Sequence, residues 1–350
     1  MTDDRPDEPR RSGRGEVEAR PGGGDEATPS FALPPDASDG LPGRPAPLAI
    51  GRVVFAWGER TFVMGILNAT PDSFSGDGLL AASSGADSAP ADSAPADSEP
   101  DAIGRAVAIG TAMVGAGADI LDVGGESSRP GHAAVGADEE RRRVVPIVTA
   151  LREALPGTPL SVDTTKPTVA AAALAAGADL INDVWGVAGD DALARVAAEH
   201  DVPLVVMHNR AEARYTNLMA EVLADLEAAI ERALRAGVAW DRIVVDPGFG
   251  FGKTSVHNLR LLRELPMLRV LGRPILLGTS RKSTLGKVLD LPADERLEAT
   301  LATTAIGIAA GIDIVRVHDV GPNVRVARMA DAIVRGTWRP PAVETEGGSR

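Results

Sequence analysis

Residues 159–184 read PLSVDTTKPTVAAAALAAGADLINDV. Two short apolar runs, Pro159–Val162 and Asp179–Ile181, enclose an alanine-rich stretch of helical spacing, Pro167–Ala176. Each run ends in polar residues, Asp163 after the first and Asn182 and Asp183 after the second. This is the pattern of a strand, a crossover helix and a parallel strand, since parallel neighbours cannot be joined by a tight turn. The alternation continues in both directions. Upstream runs at Phe62–Leu67 and Asp119–Val123 predict two further strands, and downstream runs at Pro203–Met207, Arg242–Val245, Pro274–Leu277 and Asp313–Val317 predict four more. Helical patterns fill most of the gaps, among them Asp190–Glu199, Ala220–Ala236, Asn258–Leu265 and Glu295–Ala310. Eight such units predict an α/β chain folded as a (β/α)8 TIM barrel, with an open doubly wound sheet as the competitor. Ile50–Arg60 predicts a hairpin, turning around Trp57–Glu59, that caps the barrel floor.

The 350 residues include 36 Lys+Arg and 49 Asp+Glu, a formal net charge of −13. An acidic chain is a poor partner for nucleic acid or an anionic membrane, so neither is expected. With no cysteine there is no disulfide, thiolate metal site or thiol nucleophile. The charged N-terminus is no secretory leader and no apolar run is long enough to span a bilayer, so the expected compartment is the cytoplasm. Residues 1–45 are rich in Pro, Gly and charge and are expected to be a disordered tail. Residues 79–101, with the tandem units ADSAP, ADSAP and ADSEP, are expected to be a low-complexity loop insertion, and residues 339–350 a second tail. The first tail carries 10 acidic and 6 basic residues, net −4, and the insertion 5 acidic and none basic, net −5, which leaves −4 for all the rest. The expected barrel, 46–338 without its insertion, is therefore much nearer neutral than the chain as a whole.

Polar residues follow every strand. Asn68 lies after the first, Glu126 and Arg129 after the second, Asp163 after the third and Asn182 after the fourth. His208 and Asn209 follow the fifth, Asp246 the sixth, Arg281 and Lys282 the seventh, and Arg316, His318 and Asp319 cluster at the eighth. Taken singly, Asp163 or Asn182 fits a helix cap, the glycine loops fit tight turns, and Arg281 with Lys282 fits a solvated surface. Taken together they converge on the C-terminal mouth of a barrel, where active sites of this architecture lie. Carboxylates and an amide there suit a planar heterocycle rich in N–H groups, and the cations suit phosphate or carboxylate oxygens. No GxxxxGK[ST] loop, HExxH or Cys/His cluster is present.

Seven ordered motifs give the chain a family likeness: MGILNATPDSFS (64–75), GADILDVGGESSRPG (117–131), SVDT (161–164), AGADLINDV (176–184), DPGFGFGK (246–253), GTSRKS (278–283) and RVHDV (316–320). Across these the sequence resembles the bacterial dihydropteroate synthases, pterin-binding barrels of folate biosynthesis. The resemblance implies condensation of (7,8-dihydropterin-6-yl)methyl diphosphate with 4-aminobenzoate, giving 7,8-dihydropteroate and diphosphate. It implies a pterin slot of Asp163, Asn182, Met207, Asp246, Phe251, Gly278 and Lys282, and a diphosphate site of Asn68, Ser128, Arg129, Arg316 and His318. It places the aminobenzoate on Phe74, Pro130 and Ser283, gives catalytic roles to Asp163, Lys282, Arg316 and His318, and implies Mg²⁺ on Asn68 and a homodimer.

The chain has Ser128 where the family commonly has Thr, which keeps the hydroxyl, and MHNR at 207–210 is looser than the family's usual run. Asp122 and Glu126 fit either support of the metal and Arg129 or simple structural pairing. His132, His200 and His257 read as capping or exposed residues. Two other functions are compatible with the barrel, a folate-dependent methyltransferase and a non-catalytic paralogue. The TPDSFS loop and the intact Asn68, Lys282 and Arg316 favour the synthase.

Overall fold

The computed structural model describes residues 43–69, 99–126, 135–186 and 191–339. Residues 1–42 and 340–350 of the expected tails, residues 70–98, which hold the TPDSFS loop and most of the expected insertion, and residues 127–134 and 187–190 lie outside these, and with them Phe74, Ser128, Arg129, Pro130 and His132. Ten strands are described: β1 Leu48–Ile50, β2 Val53–Phe55, β3 Phe62–Asn68, β4 Ile120–Gly124, β5 Leu160–Asp163, β6 Leu180–Asp183, β7 Leu204–Met207, β8 Ile243–Asp246, β9 Leu276–Leu277 and β10 Ile314–Val317. The helices are α1 Glu99–Gly115, α2 Ala137–Ala154, α3 Pro167–Ala175, α4 Ala192–Glu199, α5 Leu218–Arg235, α6 Ser255–Arg263, α7 Ser283–Leu289, α8 Leu297–Ala309 and α9 Val320–Val334. Helix α1 begins inside the span assigned to the insertion, so residues 99–101 belong to the barrel instead.

The last eight strands form one parallel sheet in the order β8-β7-β6-β5-β4-β3-β10-β9. A bridge between Val245 and Ile275 brings β8 to β9 and closes the ring, which excludes the open sheet. The closing seam is thin. β9 has two residues, whereas β3 pairs with β4 over five positions.

Alternation along each strand divides the apolar residues into two sets. Leu121, Val123, Leu204, Val206, Ile243 and Val245 face the helices and join the larger core. Phe62, Met64, Ile120, Leu180, Val205, Val244, Leu276 and Ile314 face inward and form a second core with the β1–β2 hairpin. The hairpin turns at Gly51–Arg52, not at Trp57–Glu59, because Ile50 pairs with Val53 and Gly51 supplies the positive φ of the turn. Trp57 is instead buried beside Phe55 and Phe62 as part of the plug, with the Phe55 and Phe62 ring centroids 4.6 Å apart. The floor of the barrel is thus aromatic and aliphatic throughout.

Candidate active site

Following the inward positions two residues at a time from that floor leads to the mouth. Phe62 and Met64 lead to Ile66 and Asn68, Ile120 leads to Asp122, and Ser161 to Asp163. Leu180 leads to Asn182, Val205 to Met207, Val244 to Asp246, Leu276 to Gly278, and Ile314 to Arg316 and His318. Sequence reading placed Asn68, Asp163, Asn182 and Asp246 just past their strands. They are the terminal or penultimate strand residues, so backbone pairing fixes their Cα positions.

Asn68, Phe251, Gly278, Lys282, Ser283, Arg316 and His318 line one cavity of about 360 Å³. Gly278 lies against Arg316 and Lys282, since a Cβ there would meet the Arg316 Cβ at 3.8 Å and the Lys282 Nζ at 4.0 Å, ordinary contact distances. Asp163, Asn182 and Asp246 sit buried at the base of this group. Met207 lines a neighbouring cavity of about 230 Å³, with Trp185, His208 and Asp225.

Arg316 organises the interior. Its Nε donates to Asp122 Oδ2 at 2.6 Å and an Nη2 hydrogen to Asp163 Oδ2 at 2.6 Å. Asn182 Nδ2 donates to the same Asp122 oxygen at 3.1 Å. Desolvation would pull the guanidinium pKa down, but the two carboxylates outweigh it and hold it above its usual value. For Asp163, burial pushes the pKa up to about 7; Arg316 opposes and Asp122 adds to the rise, so one cation is shared between two acids. Asp122, open from sequence, is therefore a buried partner of Arg316 and Asn182. Glu126 pairs with Lys166 at 2.5 Å and accepts from the Val135 N–H at 3.2 Å.

On the opposite wall, Lys282 Nζ donates to the Phe249 carbonyl and lies 4.3 Å from the Phe251 ring centroid, a cation–π contact. Burial lowers its pKa to about 8, against the attraction of Asp246. Burial likewise raises the pKa of Asp246, although Lys282 and the Gly248 N–H, which donates at 2.7 Å, favour the carboxylate. A carboxylate and an ammonium facing one slot can grip the complementary edge of a flat heterocycle. Arg281 is bound to Asp319 at 2.7 Å, and His318 Nδ1 lies 3.0 Å from Ser280 Oγ. His257 caps α6 through Thr254, as its bland reading expected. Lys253, in contact with His208, went unremarked in the sequence reading; its only signal was its place at the end of the glycine-rich run.

Among the described residues no three His, Cys, Asp or Glu side chains gather as a metal cage. Asn68 lines the cavity and carries one amide oxygen. That donor set fits Mg²⁺, which keeps waters and takes phosphate oxygens, and does not fit a caged zinc ion.

A family model described as pterin binding enzyme matches residues 89–318. The dihydropteroate synthase of Clostridium beijerinckii is 48% identical over 289 residues, covering 82% of this chain and 100% of the relative. A solved structure of dihydropteroate synthase from Clostridium difficile in the presence of pteroic acid is 45% identical, with a TM-score of 0.72. It covers 80% of this chain and 99% of that one. A Mycobacterium tuberculosis protein named inactive dihydropteroate synthase 2 is 39% identical over 302 residues, 83% of this chain and 87% of the relative. Barrel, mouth and relatives agree, and the chain belongs to the pterin-binding enzymes, within the dihydropteroate synthase family.

Proposed function

We propose that the chain condenses (7,8-dihydropterin-6-yl)methyl diphosphate with 4-aminobenzoate. The observation that carries this reading is one cavity lined by Asn68, Phe251, Lys282, Arg316 and His318, with the buried Asp246 near enough for its charge to favour the Lys282 ammonium. Asp246 accepts from the amino and ring N–H groups of the pterin, and Lys282 donates to its carbonyl and ring nitrogen. Asn182 and Met207 complete that slot with Phe251 and Gly278.

In the reaction the methylene C–O bond breaks and its electron pair leaves with diphosphate. The ring-stabilised cation then takes the amine lone pair, a C–N bond forms, and the amine proton passes to solvent. Asp163, at the base of the mouth, stabilises the positive charge as it develops. Arg316 and His318, with Arg129 and Ser128, hold the diphosphate. Phe74 and Pro130 pack on the aminobenzoate ring, and Ser283 takes its carboxylate. Asn68 would hold Mg²⁺, which when bound neutralises charge on the leaving group.

The exposed apolar residues Val256 and Leu259 on α6, Val288 and Leu289 on α7 and Ile306 on α8 support a homodimer through these helices. Among the described residues no helix is long and apolar enough to cross a membrane, in keeping with a cytoplasmic enzyme.

Incubation with both substrates and Mg²⁺ should release diphosphate and form dihydropteroate. Formation of neither product would favour the second reading, a non-catalytic paralogue, which the named inactive relative keeps in view.

A further inference from the structure

The loop that connects β8 to α6, residues 247–254, carries three glycines in the left-handed region: Gly248 at φ 67°, Gly250 at 85° and Gly252 at 54°. Its only bulky side chains before Lys253 are the two phenylalanines, so its backbone needs bracing from outside. The brace is the Lys253 side chain in its ammonium form, although burial lowers its pKa to about 7 against the attraction of Asp246. Its Nζ donates to the Gly248 carbonyl at 3.0 Å and the Phe251 carbonyl at 3.2 Å, and it meets His208 Nδ1 at 2.7 Å. These three partners match the three N–H bonds of an ammonium.

The histidine is itself fixed. His208 Nε2 faces Asp225 Oδ2 at 3.1 Å, which also accepts from Arg210 Nε at 2.7 Å. Nε2 therefore carries the hydrogen and Nδ1 is left as an acceptor for Lys253. Burial, with Lys253 beside it, lowers the His208 pKa to about 4, so the ring is neutral at physiological pH. The loop is pressed against the same segment, because a Cβ at Gly248 would run into the His208 carbonyl oxygen and one at Gly252 into that of Arg210. The charged groups facing Lys253 are Asp246 at the end of β8, Lys282 ahead of α7, Arg210 after β7 and Asp225 on α5.

We propose that Lys253 is a positioning residue of the pterin subsite: its three hydrogen bonds brace the Gly248–Gly252 loop against His208, so that the Phe249 carbonyl and Phe251 ring hold Lys282 opposite Asp246. This rests on the reading that Asp246 and Lys282 bind the pterin. Lys253 itself does not touch substrate. Its effect is on pterin affinity, and neither aminobenzoate binding nor the chemical step depends on it.

The test is steady-state kinetics of Lys253→Met, with calorimetric binding of 6-hydroxymethylpterin measured alongside. Loss of the brace is expected to raise the KM for the pterin substrate about tenfold or more, as for a lost charge-assisted hydrogen bond. The KM for 4-aminobenzoate and kcat should stay within about threefold, because only one subsite has shifted. A merely structural lysine would lower the melting temperature and the active fraction, and so kcat, without moving KM. A pterin KM within about twofold of wild type overturns the proposal.

A second pair of variants decides the matter should Lys253→Met fail to fold. His208→Leu removes the Nδ1 acceptor and should raise pterin KM about fivefold or more, whereas His208→Asn keeps an acceptor there and should restore it to within about twofold. Equal KM values in the two overturn the proposal. The binding arm separates this inference from the function on which it rests. A wild-type protein that binds the pterin without turnover refutes the synthase reading, and the variants still report on Lys253 through affinity. A wild-type protein that does not bind the pterin refutes both.

Discussion

The two ends of the barrel are built from the same eight strands with the same alternation, yet their inward residues differ in kind. At the floor they are Phe62, Met64, Ile120, Leu180, Val205, Val244, Leu276 and Ile314, sealed by Phe55 and Trp57. One step of two residues along, they become Asp122, Asp163, Asn182, Asp246 and Arg316, all drawn into ion pairs or hydrogen bonds. Burial is nearly complete at both ends, but it has opposite meaning. At the floor it removes apolar surface from water and stabilises the fold. At the mouth it strips water from charges, which raises the pKa of Asp163 and lowers that of Lys282, and so holds electrostatic energy ready for a substrate.

The contrast breaks most visibly at the floor. Phe55 is fully buried, and Phe55→Ala should lower unfolding free energy by about 3–5 kcal/mol in denaturant titration. The kcat/KM of the fraction that remains folded should not change. The next largest effect lies at the mouth, where Asp246→Ala and Lys282→Ala should each lose about 2–4 kcal/mol of transition-state stabilisation in kcat/KM. Near wild-type kinetics in either would place the pterin elsewhere.

Asp163 sharpens the comparison because its two effects have opposite signs. Its folded pKa, about 7, lies above the ordinary 3.8, so the native state holds the extra proton between those values. The stability it contributes is full below about pH 3.8 and is lost as pH rises through about 7. Asp163→Asn should therefore be relatively more stable at pH 8 than at pH 5, by on the order of 2 kcal/mol, while it loses activity at both. A pH-independent difference in melting would show that Asp163 stays ionised throughout. In the wild type, kcat/KM should fall below about pH 7 as Asp163 protonates and above about pH 8 as Lys282 loses its proton. The smallest effect belongs to the floor's rim, where Arg60 and Asp119 pair at 2.6 Å with the arginine half exposed. Arg60→Ala should cost less than about 1 kcal/mol, which a melting curve in high salt would erase further.

Sequence carried the eight-strand architecture because buried parallel strands are short continuous apolar runs and alanine-rich crossovers keep a helical period. It brought most of the mouth to one rim because the polar residue that ends each run is easily seen. It misplaced the hairpin turn, since Trp57–Gly58–Glu59 looks as turn-like as Gly51–Arg52 until Ile50 is seen paired with Val53. It left Asp122 open and passed over Lys253 for one reason. Asp122 meets Arg316 across 194 positions and Lys253 meets His208 across 45, and no local pattern records such pairings. Arg281 and Lys282, adjacent and alike in the chain, separate the same way: one is bound to Asp319 and the other lies against Phe251.

The thin closure between β8 and β9 gives the ligand a mechanical task. Asp246 ends β8, and Lys282 follows β9 by five residues, so the two groups stand on either side of the barrel's weakest joint. On the proposed reading, a pterin held by both would add a rung where the backbone ladder has one bridge. The empty enzyme should therefore exchange its amide hydrogens fastest along this joint, and a saturating pterin should slow that exchange more here than between β3 and β4, making occupancy readable as a local stiffening of the ring.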